Sequence, residues 1–194
     1  MREENGSELS ISKVLFEFLR LLVKILIVLI IVETFVMKGY RIPSSSMEET
    51  LLPGDYVLVE RMSKWDEAPK RSDIVVFRYP RDFREDYIKR VVALPGDELI
   101  LQAGKLVLNG EIIDEPYASY RKILPYSGKG LDRNLGPLLV PEGEIFVMGD
   151  NRDSSFDSRN WGCLSCSELI GRAVMIYWPP ERFGPIDHER IERR

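Results

Sequence analysis

Histidine is almost missing from this 194-residue chain. The single one, His188, stands in a charged C-terminal stretch between Asp187 and Glu189, where it reads as a solvated tail residue rather than the base of a Ser-His-Asp or Cys-His site. Cysteine is nearly as scarce, with two residues, Cys163 and Cys166. Structural zinc normally takes four Cys or His ligands, so no zinc site is expected. No βαβ pattern surrounds the Cys-x-x-Cys, which therefore reads as a structural pair, bridged or simply buried, rather than a redox motif. An excess of basic charge is also lacking: 27 Lys and Arg stand against 31 Asp and Glu. A nucleic-acid partner would call for a strongly basic patch, so none is expected. Internal repeats and low-complexity tracts are absent as well, which removes solenoids and linkers.

What the chain does have is one long apolar run. Residues 1–14 are mostly polar, and residues 15–37 are mostly Leu, Ile, Val and Phe. A helix over 15–37 would be about 34 Å long, against a bilayer core of roughly 30 Å. Glu17, Arg20, Lys24 and Glu33 lie toward its ends, where long side chains snorkel. The expectation is an uncleaved single-pass transmembrane anchor, since no Ala-x-Ala-like cleavage pattern follows. Basic residues are more numerous before and within the run than after it. The positive-inside bias then places residues 1–14 in the cytoplasm and a domain of residues 38–180 on the external face of the cell membrane. Residues 181–194 form a charged tail.

Beyond residue 55 the texture is β. Runs at 56–60, 73–77, 87–94, 105–108, 111–113, 145–148 and 172–178 are rich in β-branched and aromatic residues, bounded by turn signals such as Pro53-Gly54-Asp55 and Pro95-Gly96-Asp97. Asn109-Gly110 predicts a two-residue hairpin. Residues 114–137 show little periodicity and read as an irregular excursion. The fold class expected is mostly β, with one N-terminal transmembrane helix.

Three stretches carry candidate chemistry. Residues 41–55 hold Ser44, Ser45 and Ser46 between Pro43 and Met47. Ser46 followed by Glu49 fits a capping box, but Pro53-Gly54 leaves little helix to cap. The other reading is a serine nucleophile, which needs something to take its proton. Without a usable histidine the candidates are a carboxylate or a neutral lysine. Lys89 shares a strand face with Tyr87 and Val91, and burial there would disfavour its ammonium form. The plain alternative is an edge-strand lysine reaching water. The third stretch, residues 149–162, is dense in hydrogen-bonding side chains. It reads either as Asx turns or as a platform, with Ser155 orienting a lysine amine and Asp157 pairing with Arg159. Calcium does not fit: an EF-hand alignment puts Ser158 at the Gly position and Leu164 at the bidentate Glu position.

Pro43-Ser-Ser-Ser-Met-Glu-Glu-Thr-Leu51, Tyr87-Ile-Lys-Arg-Val-Val-Ala-Leu-Pro-Gly-Asp97 and Gly149-Asp-Asn-Arg-Asp-Ser-Ser-Phe-Asp-Ser-Arg159 occur in this order, with Gly171-Arg-Ala173 and Tyr-Trp-Pro behind them. Together they resemble the type I signal peptidases, membrane-anchored serine proteases with a Ser/Lys dyad. The resemblance implies Ser46 as nucleophile, Lys89 as general base and Ser155 as the hydroxyl that positions it. It further implies Ser44 with the Ser46 backbone N–H as the oxyanion hole, and Asp157 with Arg159 as a supporting ion pair. It implies a mostly β catalytic core with a variable inserted β region, residues 98–142 here. The partners implied are preprotein signal peptides, cut after small residues, and the lipid bilayer; no metal or cofactor is expected, and the chain is expected to be a monomer. Two departures stand out: Glu49 where the family usually has Pro, and Ala93 where it usually has Gly. The cysteines replace a more usual Val-Pro-like continuation.

Two competing readings remain. A cytosolic Ser/Lys self-cleaving repressor shares related chemistry but would carry a DNA-binding domain and no apolar anchor. An anchored β domain binding envelope partners would use the serines as a cap and the Asp-rich loop as turns.

Overall fold

The computed structural model describes residues 11–35, 37–61, 68–120, 133–188 and 192–193. Its first helix, α1 (Ile11–Phe35), follows the apolar run but begins earlier than expected. Among the described residues no helix is long and apolar enough to cross a membrane. Lys13, Glu17, Arg20, Lys24 and Glu33 are spread so evenly that every 18-residue window of α1 holds at least three charges. The longest uncharged run, residues 25–32, covers only about 12 Å, and each charge near a bilayer centre costs about 2.5–3.5 kcal/mol on insertion scales. This corrects the expected transmembrane helix over 15–37. The single-pass membrane location and the external placement of the domain, both inferred from that span, go with it.

Lys38–Arg194 form a separate compact unit. Its main sheet has eight strands. Those on the path are β1 (Met37–Arg41), β2 (Tyr56–Arg61), β3 (Ile74–Tyr79), β4 (Asp82–Ala93), β9 (Glu144–Met148), β10 (Leu164–Ser165) and β11 (Leu169–Trp178), in the order β1-β2-β11-β3-β4-β9-β10, with β12 (Gly184–Pro185) paired to β11. The second sheet lies mostly within the expected insert. It contains β5 (Glu98–Gln102), β6 (Lys105–Leu108), β7 (Glu111–Asp114), β8 (Leu135–Leu139) and β13 (Glu192–Arg193), in the order β13-β7-β6-β5-β8. The mostly β expectation is met. Asn109 and Gly110 both take positive φ, 52° and 82°, and join β6 to β7 as a tight hairpin with Leu108 opposite Glu111. Most of the irregular excursion, residues 121–132, lies outside the described residues.

Alternation along the strands produces three apolar clusters. Met47 and Leu51, just past the serines, are buried with Ile42, Val57, Val59, Ile74, Val76 and Ala173. That packing fixes the serine stretch from below. A second cluster, with Leu99, Leu106 and Phe146, joins the insert to the main sheet, and a third gathers Phe77, Val91, Val147 and Leu164.

The C-terminal segment is not the solvated tail read from its charge. Ile186 is buried in the first cluster, Arg182 pairs with Asp55 at 2.9 Å, and the described Glu192–Arg193 pair with β7. His188 is half-buried, and its Nδ1 accepts from the Ile74 N–H at 3.4 Å. The local charge pattern could not reveal this, because Arg182 and Ile186 meet partners far off in the sequence.

Candidate active site

Pro43 and the buried Met47 confine the serine triplet to a 3-10 turn over Ser45–Met47. Ser44 precedes it with extended backbone and makes no capping hydrogen bond through its side chain. The capping-box reading of Ser46 with Glu49 does not hold, because Ser46 lies inside the turn rather than ahead of it. Instead Ser46 turns inward, 7 % exposed, while Ser44 stays at the surface with its Oγ 3.3 Å from Ser46 Oγ.

Lys89 meets Ser46 there. It is 4 % exposed, and its Nζ donates to Ser46 Oγ at 2.8 Å and to the Ile88 carbonyl at 2.8 Å. The edge-strand alternative for Lys89 fails on that burial. Removal from water pushes its pKa down from 10.5 to about 8, against the opposing pull of Asp157 and Asp150. A useful fraction of neutral amine is then present near physiological pH. The Tyr87 ring lies on the same strand face, 5.6 Å from Nζ.

The Asp-rich loop arrives from the other side. Asp157 caps the short helix α2 (Ser158–Trp161) in a capping box, its carboxylate accepting from the Arg159 N–H while Asn160 accepts from the Asp157 N–H. The same carboxylate accepts from Arg159 Nε at 2.9 Å and Nη2 at 2.8 Å, and from the Gly149 N–H at 3.0 Å. Burial alone would raise the Asp157 carboxyl, but Arg159 and the Gly149 N–H outweigh it and hold the group ionised, below its usual range. Ser155 is buried, packed so closely on Gly149 that a Cβ there would fall 2.2 Å from Ser155 Oγ. Its hydroxyl lies beside the Asp157 carboxylate and helps hold it ionised, while the Lys89 amine is bonded to Ser46 and Ile88 rather than to Ser155.

Several residues of the site were not singled out in the sequence. Arg90, next to Lys89 but on the opposite strand face, is fully buried and forms a two-pronged pair with Asp150 at 2.8 Å for each contact. Its Nη1 also reaches the Ser72 carbonyl at 3.0 Å. Asn151 donates through its backbone N–H to the Ser46 carbonyl and through Nδ2 to the Ser45 carbonyl, both at 3.1 Å. An arginine inside the apolar run of β4 was the available signal for the first; for Asn151 there was none beyond its place between two charged residues.

Among the described residues no cluster of three or more His, Cys, Asp or Glu is arranged to hold a metal ion. Cys163 and Cys166 are unbridged and half-buried. What the arrangement can do is activate a serine hydroxyl with a desolvated amine.

Comparison with known proteins finds peptidases. A family model for signal peptidase, peptidase S26, matches residues 15–178. A probable signal peptidase I-2 of Synechocystis sp. is 37% identical over 79% of this chain and 68% of its own length. A signal peptidase I of Bacillus caldolyticus is 38% identical over 77% and 84%. A probable thylakoidal processing peptidase 2 of Arabidopsis thaliana is 39% identical over 79% of this chain and 41% of its own.

Proposed function

The chain belongs to the signal peptidase family, peptidase S26, and from that premise we propose that it cleaves signal peptides from preproteins with Ser46 as nucleophile and Lys89 as general base. The observation that carries the assignment of roles is the 2.8 Å contact between Lys89 Nζ and Ser46 Oγ inside a site nearly closed to water. In the neutral amine that contact is read with the Ser46 hydroxyl as donor. Lys89 takes the hydroxyl proton as Ser46 Oγ attacks the scissile carbonyl, and the carbonyl π electrons move to oxygen. The Ser46 backbone N–H and Ser44 Oγ are the donors proposed for that oxyanion. The Lys89 ammonium then gives its proton to the departing amine, leaving an acyl ester on Ser46. Water, deprotonated by the same lysine, hydrolyses the ester and restores the serine.

Asp157 and Arg159 support the site by stiffening the loop that packs against it. Ser155, buried beside the Asp157 carboxylate, is the hydroxyl proposed to orient the Lys89 amine. Membership of the family supports association with membranes. We assign the lipid contact to α1, whose large apolar side chains from Val14 to Ile30 are exposed, and place the enzyme at work as a monomer. A preference for small residues before the cut completes the proposal.

The test is hydrolysis of a preprotein by purified protein. Ser46→Ala and Lys89→Ala are each expected to abolish it; wild-type turnover in Lys89→Ala would end the dyad assignment. Co-flotation with liposomes that persists after deletion of α1 would remove the lipid role given to that helix.

A further inference from the structure

Residues 115–120 of the inserted region leave β7 and cross to the loop that carries residues 149–152. The Ser119 N–H donates to the Asp150 carbonyl at 2.8 Å and the Arg152 N–H to the Ser119 carbonyl at 2.9 Å, with residues 119 and 151 forming a parallel bridge. Side chains tighten the junction. Arg152, fully buried, grips Glu115 through Nη1 at 2.7 Å and Nη2 at 2.6 Å, and its Nε donates to the Gly149 carbonyl at 3.1 Å. The Tyr117 ring lies 4.0 Å from the Arg90 guanidinium and 6.0 Å from that of Arg152, and its hydroxyl donates to Glu115 at 3.1 Å.

The far side of the same loop holds the nucleophile. Asn151 binds the carbonyls of both Ser45 and Ser46, and Gly149 packs so tightly on the Ser46 carbonyl that a Cβ would fall 2.4 Å from it. One continuous chain of contacts thus runs from the insert, through Glu115, Arg152 and Asn151, to the backbone of Ser46. A buried ion pair is a poor way to add stability, because desolvation offsets most of its attraction. What a two-pronged Arg–carboxylate contact supplies is fixed geometry, and the geometry fixed here is that of the turn presenting Ser46.

We propose that Glu115, Arg152 and Asn151 are positioning residues for Ser46, and that the inserted β region braces the nucleophile turn from behind rather than decorating the catalytic core. The inference rests on Ser46 being the nucleophile. The brace sets where the Ser46 Oγ and N–H stand relative to the scissile carbonyl. Substrate affinity is not set by it, and Asp150, the carboxylate of this loop that acts on the Lys89 amine, is held by its own pair with Arg90.

The experiment compares Glu115→Gln, Glu115→Asp and Leu106→Ala. Leu106 is buried in the core of the insert and makes none of the brace's hydrogen bonds, so its truncation loosens the insert while keeping the Glu115 carboxylate and its Arg152 partner. Turnover is expressed per active site, counted by titration to completion with a serine-directed acylating probe. Misplacement by an ångström can cost about a hundredfold in rate, so Glu115→Gln is expected to lower kcat about ten- to a hundredfold. KM and the acid limb of the pH profile should stay put, and Glu115→Asp should recover part of the loss. Leu106→Ala should melt earlier yet keep its turnover per site. Should Glu115→Gln fail to fold, Asn151→Ala, which leaves the ion pair whole, carries the same expectation. Unchanged turnover per site in Glu115→Gln, or an equal loss in Leu106→Ala, overturns the brace. Wild-type turnover in Ser46→Ala would instead overturn the functional reading itself, and the two failures are told apart.

Discussion

Lys89 Nζ stands 2.8 Å from Ser46 Oγ with both side chains nearly out of solvent, and burial has pushed the amine down to about 8. Below that value the ammonium form dominates and has no lone pair to offer. Activity measured as kcat/KM should therefore fall about tenfold per pH unit on the acid side of about 8. A profile flat down to pH 5 would contradict a lysine base.

The same burial has a stability cost. Because the folded-state pKa is depressed, the folded chain binds fewer protons than the unfolded chain between about 8 and 10.5, and stability rises with pH through that window. Below it the full cost of desolvating the ammonium is present. Lys89→Met should be inactive yet more stable at pH 7, by on the order of a few kcal/mol. Urea unfolding at pH 7 and pH 10.5 checks this, since the advantage should shrink at the higher pH.

Asp157 and Arg159 act on the lysine with opposite signs. Asp157 raises the Lys89 pKa and Arg159 lowers it. Arg159→Gln should move the acid limb of the activity profile to higher pH, and Asp157→Asn to lower pH. Each also strands a buried charge or loses a cap, at a cost of about 3–5 kcal/mol, so thermal midpoints should fall in both. Limbs that move in the same direction would show that the pair acts only through folding.

How much of this was legible in the sequence depends on the range of the interaction. The Asn109-Gly110 hairpin and the strands at residues 56–60 and 145–148 were legible because turn chemistry and alternation are local. Ser46, Lys89, Asp157 and Arg159 were legible only as a set of motifs, since no local rule puts residues 46 and 89 in contact. The brace through Glu115 was not legible, because its carboxylate lies in an aperiodic stretch and its partner among many loop-forming polar residues. The apolar run misled for a simple reason: its four central and flanking charges were treated as terminal, whereas α1 extends past them at both ends.

Glu49 takes φ = +92°, a conformation that costs a non-glycine residue about 1–2 kcal/mol. It occupies the position where the family usually has Pro, and proline is locked near φ −65°. Glu49→Pro should therefore destabilise this chain rather than restore a familial turn, whereas Glu49→Gly should stabilise it by about 1 kcal/mol. Thermal melts of the two variants decide between these signs.

Cys163 packs against the cluster around Leu106 and Phe146, and Cys166 against the one around Phe77 and Leu164. The two side chains serve different cores, across a strand whose Leu164 is held opposite Ile145. Bridging them would pull one thiol out of its packing and disturb that pairing. Both should remain thiols: alkylation of the denatured, unreduced protein is expected to add two labels. Burial also pushes Cys163 up to about 11, so its labelling in the native state at pH 8 should be slow.

His188 ties the C-terminal segment to the start of β3 through Nδ1, an acceptor that exists only while that nitrogen is unprotonated. Its surroundings pull both ways, Asp73 favouring the cation and Arg90 and Arg172 opposing it, but burial dominates and its pKa lies below 6.5. The folded chain then binds fewer protons than the unfolded one as pH falls below 6.5, and stability is lost through that range. Replacing the imidazole by an uncharged side chain removes the proton uptake but also the hydrogen bond. His188→Asn should therefore be less stable than wild type at pH 7.5 while losing less on acidification to pH 5. Parallel losses in the two proteins would mean that the acid sensitivity of the fold comes from its carboxylates alone.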